Sequence, residues 1–235
     1  MATAAHADEH ERAAAPARVG AVLARVGHAV PDTVVANAEI ARRLGVDEAW
    51  IRSRTGSRER RALADGERLS DLAARAAEAA QREAGVAAAG DPGAGAIGPV
   101  VLHSDPDGSD LIRLDREDLR IRIDGPVVFR HAVRLMVEVT HEAAAASGVA
   151  LGDIDLFVYH QANSRIIRAV ATELGADASR VVDVVDRFAN TSAASIPIAL
   201  SVAAREGRLR PGATVLLAAF GAGLVWGGTV VTWRG

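Results

Sequence analysis

From Val127 onward, apolar segments alternate with amphipathic ones, and this alternation limits the fold more than any other feature of the sequence. VVFRHAVRLMVEVTHEAAAASG predicts a long amphipathic helix, and IDLFVYH predicts an apolar strand that ends at polar residues. Residues 164–174 and TSAASIPIALSVAAREG predict further helices, whereas ATVLLAAFGAG and LVWGGTVVTW predict the last two strands. Strands that alternate with helices indicate an α/β fold, which is expected to be complete in residues 126–235.

The first half, residues 18–125, is expected to be short of strands. Residues 18–30 predict a buried strand and a turn at Pro31, and the Gly-, Ala- and Pro-rich residues 86–99 predict a loop or linker. VVLHSD and residues 111–114 and 119–123 predict short strands. Asn37 and Asp47 are expected to cap two helices and Ser70 to open a third, and these helices are expected to end at Gly45, Gly56 and Gly85.

Composition excludes several classes of protein. The formal net charge is −3, and the sequence has no dominant basic stripe of the kind that would predict nucleic-acid binding. No apolar run is long enough for a membrane span. Residues 1–17 lack the basic and apolar regions of a secretory signal, so a disordered leader and a cytoplasmic protein are expected. The chain has no cysteine, which excludes thiolate metal sites and thiol nucleophiles, and no metal site is predicted.

Polar residues follow the apolar strands or precede the helices at three places. His160 follows FVYH, Asn190 precedes a helix, and the glycine turn FGAG, residues 220–223, follows a strand. Ligand sites gather at the carboxyl ends of strands in α/β sheets. Each place also has a purely structural explanation: His160 or Asn190 could cap a helix, and the glycines could simply form a tight turn.

The order of the motifs HQAN, NTSAASIP and AFGAGLVWG resembles the β-ketoacyl-ACP synthase III family. VGHAVPDTVVANAEIARRLGVDEAWIRSRTGSRERR resembles the opening of that family, and GPVVLHSDPDGSDLI and IDGPVVFRHAV resemble its middle. The resemblance covers about 18–234 apart from one gap. It implies a thiolase-like layered fold (α-β-α-β-α) with a complete C-terminal half and a truncated N-terminal half. It also implies a homodimer that needs no permanently bound cofactor.

The resemblance implies that a Cys-His-Asn triad condenses an acyl-CoA starter, a coenzyme A thioester, with malonyl-ACP. His160 and Asn190 match the His and Asn that donate hydrogen bonds to the malonyl thioester carbonyl. Ala222 matches the glycine whose backbone N–H completes the oxyanion hole, which an alanine can replace if its φ is ordinary. Phe220 matches the aromatic residue beside the nucleophile.

Residues of both halves match the family's binding positions. Trp50 matches the aromatic that stacks on the CoA adenine, although a lone Trp is more commonly a core anchor. Arg54 and Thr55 match positions near the nucleotide phosphates. Asn163 matches a pantetheine contact, and the tunnel positions are matched by Gly125 and Phe129.

Docking of acyl carrier protein is the other function implied for the HQANSR motif. Arg165 suits an acidic helix or phosphate of the carrier, with a solvated helix face as the structural alternative. The matching residues are Gln161, Ala162, Asn163, Ser164 and Arg165.

One departure from the family concerns the nucleophile. The sequence passes from REAGV directly into AAAGDPGAGAIGPVV, where family members have roughly a hundred further residues, including the nucleophilic cysteine. Loss of this segment is expected to expose apolar faces and strand edges and to leave the chain inactive. An internal deletion, an imperfect assembly or gene prediction, and a shortened non-enzymatic relative that binds CoA or carrier protein would each explain the gap.

Overall fold

The computed structural model describes residues 23, 26–84, 97–115, 117–118 and 120–233. The expected leader and most of the expected linker 86–99 lie outside the described residues. The expected first strand, residues 18–30, is described only at residues 23 and 26–30, which form no strand.

The first half contains three helices and five short strands in its described part. Their order along the chain is β1 Thr33–Ala36, α1 Asn37–Leu44, α2 Glu48–Thr55, β2 Glu59–Ala62, α3 Leu69–Ala84, β3 Val101–Ser104, β4 Ile112–Leu114 and β5 Ile121–Ile123. Strands β1 and β2 form one antiparallel pair, and β4 and β5 form another.

The second half contains the predicted helices and strands together with a short helix, α6 Val185–Phe188. Its elements are α4 Gly125–Ala146, β6 Leu156–Tyr159, α5 Ser164–Glu173, α6 Val185–Phe188, α7 Ser195–Arg205, β7 Thr214–Gly221 and β8 Val225–Thr232. None of the helices in the described residues is both long and apolar enough to cross a membrane.

A four-stranded sheet in the order β3-β8-β7-β6 forms the centre of the described structure. Strands β6 and β7 are parallel, whereas β7 and β8, like β8 and β3, are antiparallel. Side chains alternate between the two faces of a strand. Leu156 and Val158 therefore pack in the apolar cluster of α7, and Phe157 and Tyr159 pack in the cluster of α4 and α5. The described sheet is thus covered by helices on both faces.

This three-layer arrangement is smaller than the five layers expected from the resemblance. In the described residues before α4, the only strand pairs are β1–β2 and β4–β5, and β3 belongs to the sheet of the second half. A second central sheet is not formed by the described residues. The expected truncation of the first half agrees with this.

The observed helix termini agree only in part with those predicted from the sequence. The Trp50 backbone N–H donates to Asp47 Oδ1 over 2.5 Å, which confirms the predicted cap of α2. The predicted cap of α1 is wrong, because the helix begins one residue earlier and Ala36 is its N-cap. The Asn37 side chain is instead buried, and its Nδ2 donates to the Ser57 carbonyl over 2.8 Å. Helix α3 begins at Leu69 rather than at Ser70.

The C-terminus of α2 lies against the N-terminus of α5, and this contact joins the two halves. Gly56 ends α2 with φ +81°, and the Ser164 side chain occupies the space that a Cβ at residue 56 would need. Asn163 Nδ2 donates to the Arg54 carbonyl over 2.9 Å at the same place. Glycine is required at residue 56 both for its backbone conformation and for close approach.

We expect Gly56→Ala to destabilise the chain more than Gly45→Ala does. Gly45 also ends a helix at positive φ, +67°, but a Cβ added there would have no atom within 4 Å. Its replacement should cost about 1 kcal/mol through backbone strain alone. Gly56→Ala adds the collision with Ser164, so the free energy of unfolding in urea should fall further. Equal losses in the two variants would show that the α2–α5 contact is not tight.

Candidate active site

An open cavity of about 1240 Å³ lies where β6 and β7 end and where α4 and α7 begin. It brings together predicted residues that are far apart in the sequence. The predicted residues that line it are Trp50, Arg54, Thr55, Gly125, Phe129, His160, Ala162, Asn163, Arg165, Asn190, Phe220 and Ala222. The two predicted site residues outside this lining are Gln161 and Ser164.

His160 is fixed by the end of the central strand pair. Its backbone N–H donates to the Ala218 carbonyl over 2.9 Å, which extends the pairing of β6 with β7 by one residue. Its Nδ1 lies 2.6 Å from Ser195 Oγ in the first residue of α7. Burial lowers the pKa of His160 because removal from water disfavours the imidazolium. The ring is therefore neutral at pH 7.

Asn190 is exposed and lies in the segment between α6 and α7. Its Oδ1 accepts a hydrogen bond from the Ser192 backbone N–H over 2.9 Å. The Nδ2 group of Asn190 has no hydrogen-bond partner among the described residues. Asn190 is not the cap of α7, because that helix begins at Ser195 without a side-chain cap. The structural alternative considered for Asn190 is therefore wrong for this helix.

The backbone on either side of Asn190 is strained. Ala189 and Ser192 have φ values of +55° and +50°, and they are the two non-glycine residues with positive φ in the described chain. Such conformations persist only where the surroundings enforce them, and they concentrate at functional sites. Neither residue type favours this conformation, so no local sequence pattern predicts it.

The turn between β7 and β8 carries the predicted oxyanion residue. Ala222 is exposed in this turn, and its φ is not positive, whereas Gly223 has φ +118°. The condition for replacing glycine by alanine at residue 222 is met. Phe220 is partly buried near the end of β7 and lines the cavity.

Trp50 lies at the rim of the cavity rather than in the core. Its side chain is 43 % exposed, and the Arg54 guanidinium carbon lies 4.3 Å from its ring centroid. The structural alternative, a core anchor, is therefore wrong. The neighbouring Thr55 hydroxyl donates to the Ile51 carbonyl over 2.9 Å and accepts from the Ser57 backbone N–H over 3.1 Å.

The predicted docking residues do not share one surface. Gln161 is only 1 % exposed, and it donates to the Tyr159 and Val182 carbonyls and accepts from the Val184 backbone N–H. Ser164 is also buried, with its hydroxyl donating to Asp183 over 2.8 Å. The prediction that these two side chains contact a carrier protein is wrong, because both are buried and hold adjoining loops.

The outer part of the same motif remains accessible. Asn163 caps α5, because its Oδ1 accepts from the Arg165 backbone N–H over 2.9 Å. Arg165 is exposed, and its guanidinium carbon lies 5.2 Å from the Phe129 ring centroid at the cavity. Among the predicted docking residues, Arg165 is exposed, whereas Ala162 and Asn163 are partly buried.

Ser195 is the functional candidate that the sequence reasoning missed. It is the last residue of NTSAAS, so it lay within a motif already quoted, but a serine near a helix start is ordinarily explained by capping. Its contact with His160 depends on how α7 packs against the end of β6.

Replacing His160 should reduce the pH dependence of stability. The folded-state pKa is lowered, so below about pH 6.5 the unfolded chain binds more protons at this residue, and folding is weakened as the pH falls. The free energy of unfolding should therefore decrease less between about pH 7.5 and 5.5 in His160→Gln than in the unmodified chain, as measured by urea unfolding. Identical slopes in the two proteins would contradict the burial of a neutral His160.

Comparisons with known proteins agree with the motif order and the fold. Residues 144–233 match the family model for the C-terminal part of 3-oxoacyl-[acyl-carrier-protein (ACP)] synthase III. A β-ketoacyl-[acyl-carrier-protein] synthase III of Streptomyces coelicolor is 33 % identical over 319 aligned positions, which cover 95 % of this chain and 97 % of that protein. Because this chain has only 235 residues, the alignment must contain gaps in the sequence of this chain.

Solved structures give the same result. The β-ketoacyl-[acyl-carrier-protein] synthase III of Thermus thermophilus aligns with a TM-score of 0.80 and 29 % identity, covering 91 % of this chain and 99 % of that one. The corresponding protein of Pseudomonas aeruginosa aligns with a TM-score of 0.82 and 26 % identity, covering 92 % and 99 %. The chain belongs to the β-ketoacyl-[acyl-carrier-protein] synthase III family of condensing enzymes and has its thiolase-like α/β fold.

Proposed function

We propose that the cavity binds the two thioesters of the family reaction, an acyl-CoA starter and malonyl-ACP. We also propose that this chain, which has no cysteine, does not complete the condensation. The observation that carries the proposal is the convergence of Trp50, Arg54, His160, Asn190 and Ala222 on one cavity. These residues come from both halves of the chain, and each suits a different part of a thioester substrate.

Two side chains can stabilise charge on the malonyl thioester. His160 is neutral and has Nδ1 engaged by Ser195, while Asn190 has Oδ1 engaged by the Ser192 backbone N–H. The remaining nitrogen of each side chain is available to donate to the thioester carbonyl. When the malonyl group loses carbon dioxide, negative charge moves to that oxygen, and donors already in place stabilise it.

The nucleotide end of CoA suits α2. The exposed Trp50 ring offers an aromatic surface to adenine, and Arg54 lies within about one helical turn of it. A guanidinium binds phosphate with charge-assisted hydrogen bonds and also interacts with aromatic rings. One turn of α2 can thus contact both the base and a phosphate. Thr55 already has two hydrogen-bond partners, so Arg54 is the stronger phosphate contact.

The carrier protein would approach near α5. Arg165 is exposed at the cavity beside Phe129, and its positive charge suits the phosphate or an acidic helix of a carrier protein. The malonyl group could then reach His160 through the open mouth of the cavity.

The acyl-transfer half of the reaction lacks its nucleophile. Transfer from CoA to the enzyme requires a group that forms a covalent acyl intermediate, and the family uses a cysteine for this step. A second candidate function follows from this absence: a non-catalytic remnant that binds CoA or acyl carrier protein. The retained Trp50, Arg54 and Arg165 favour it.

We propose that the missing nucleophile segment reflects an internal deletion. Apolar side chains around the cavity are unusually exposed, with Leu102 at 71 % and Ile121 at 67 %. Val100, Ile123 and Val225 of the same lining are exposed as well. A face of this kind is what loss of a covering segment would leave. The gaps in the Streptomyces coelicolor alignment support the same proposal.

Replacing Arg54 should weaken CoA binding, with Arg52 as the matched control. Both arginines are exposed near the end of α2, but of the two only Arg54 lines the cavity. We expect Arg54→Ala to raise the Kd for acetyl-CoA about tenfold, the loss of one charge-assisted contact, and Arg52→Ala to change it less than about twofold. Titration calorimetry measures both.

The same samples test the proposed loss of acyl transfer. Intact mass after incubation with acetyl-CoA and malonyl-ACP should show neither an acylated chain nor a condensed product. Binding with no transfer agrees with the proposal, whereas a β-ketoacyl product would overturn the proposed inactivity. Absence of binding in the unmodified chain would contradict both functions.

The intact mass of the protein from its native source should be 24.4 kDa if the deletion is real. Resequencing of the locus accompanies this measurement. A mass greater by roughly a hundred residues would mean that the covering segment exists and would restore the complete Cys-His-Asn enzyme.

A further inference from the structure

We infer that Ser195 is a positioning residue, whose hydroxyl donates to His160 Nδ1 and thereby holds the ring in one orientation with its proton on Nε2. The inference rests on the proposed function only for what the Nε2–H group would bind, since the contact between Ser195 and His160 lies within the chain. Ser195 Oγ and His160 Nδ1 are 2.6 Å apart, a short hydrogen-bond distance.

The direction of this hydrogen bond follows from the hydrogen on the serine. Ser195 is 2 % exposed, so its hydroxyl is shielded from water. His160 Nδ1 is its one hydrogen-bond partner among the described residues. If the hydroxyl donates to Nδ1, both groups are satisfied. If Nδ1–H donates instead, the hydroxyl hydrogen is left buried without an acceptor, which is costly.

The tautomer of the ring is then determined. A neutral imidazole carries one N–H and one unprotonated nitrogen. An Nδ1 that accepts from Ser195 is the unprotonated nitrogen, so Nε2 carries the hydrogen. Burial lowers the pKa of His160, which agrees with a neutral ring. The partial positive charge at the start of α7 also disfavours an imidazolium next to Ser195.

Both partners are held by rigid parts of the fold. The His160 backbone N–H is bonded to the Ala218 carbonyl at the end of the sheet. Ser195 begins α7, whose following turns contain the fully buried Ala199 and Ala203. The ring therefore has little freedom to turn away from the hydroxyl, and the nitrogen left for a ligand is Nε2.

Nitrogen NMR of the chain labelled with ¹⁵N-histidine tests this directly. Long-range proton–nitrogen spectra distinguish a protonated ring nitrogen from an unprotonated one, and His160→Gln identifies the signals of residue 160 among the 7 histidines. At neutral pH we expect Nε2 to be protonated and Nδ1 to be unprotonated. A proton on Nδ1 in the unmodified chain would overturn the inference.

Three variants separate positioning from a general structural role. Ser195→Ala should reduce the preference for the Nε2–H tautomer about tenfold, the effect of losing one hydrogen bond to the ring. Ser195→Thr, which keeps the hydroxyl, should restore it. Ser201→Ala is the matched control, because Ser201 is buried in the same helix and its hydroxyl has no hydrogen-bond partner among the described residues. An unchanged tautomer in Ser195→Ala, or a change of equal size in Ser201→Ala, would contradict the inference.

These measurements need no substrate. Failure of CoA to bind would overturn the proposed function and leave the tautomer result standing, whereas a wrong tautomer would leave the CoA result standing.

Discussion

The parallel pairing of β6 with β7 is the interaction on which the rest of the described structure depends. All four residues of β6 are buried, and its side chains alternate between the helix layers on the two sides of the sheet. One strand therefore joins both apolar clusters. The pairing continues to His160, whose backbone N–H donates to the Ala218 carbonyl. The central packing of the fold and the position of the imidazole thus have the same cause.

Beyond that strand, the site is assembled by loops that polar side chains hold in place. Gln161 contacts three backbone groups and fixes the segment that leads to α6. Asn163 caps α5 and also donates to the end of α2, which brings Trp50 and Arg54 to the cavity. The buried Gln161 has this effect because a buried polar group is costly unless its hydrogen-bond partners are in place. The HQAN motif therefore contains residues that hold the structure together beside His160, which is proposed to contact the substrate.

The exposed apolar face around the cavity has the opposite character. Apolar side chains of β3, β5 and the start of β8 face solvent, although such residues are normally covered. The described residues supply the hydrogen-bonding side chains of the cavity and leave these apolar side chains exposed. The proposed function follows from this contrast, since the cavity has hydrogen-bond donors in place and the chain has no thiol. This is the physical basis for separating binding from transfer.

The sequence by itself determined the α/β class, nearly all elements of the second half and twelve of the residues that line the cavity, because these follow from local patterns and ordered motifs. The four apolar residues before His160 predict a buried strand wherever they lie, and Asp47 caps α2 through a contact three residues away. Only the tertiary structure decided which motif residues face the cavity. Gln161 and Arg165 lie within one short motif, yet one is buried and the other exposed, since packing against distant loops sets their orientation. The contact between His160 and Ser195 spans 35 residues and depends on where α7 meets the end of β6, a relation that no local pattern encodes.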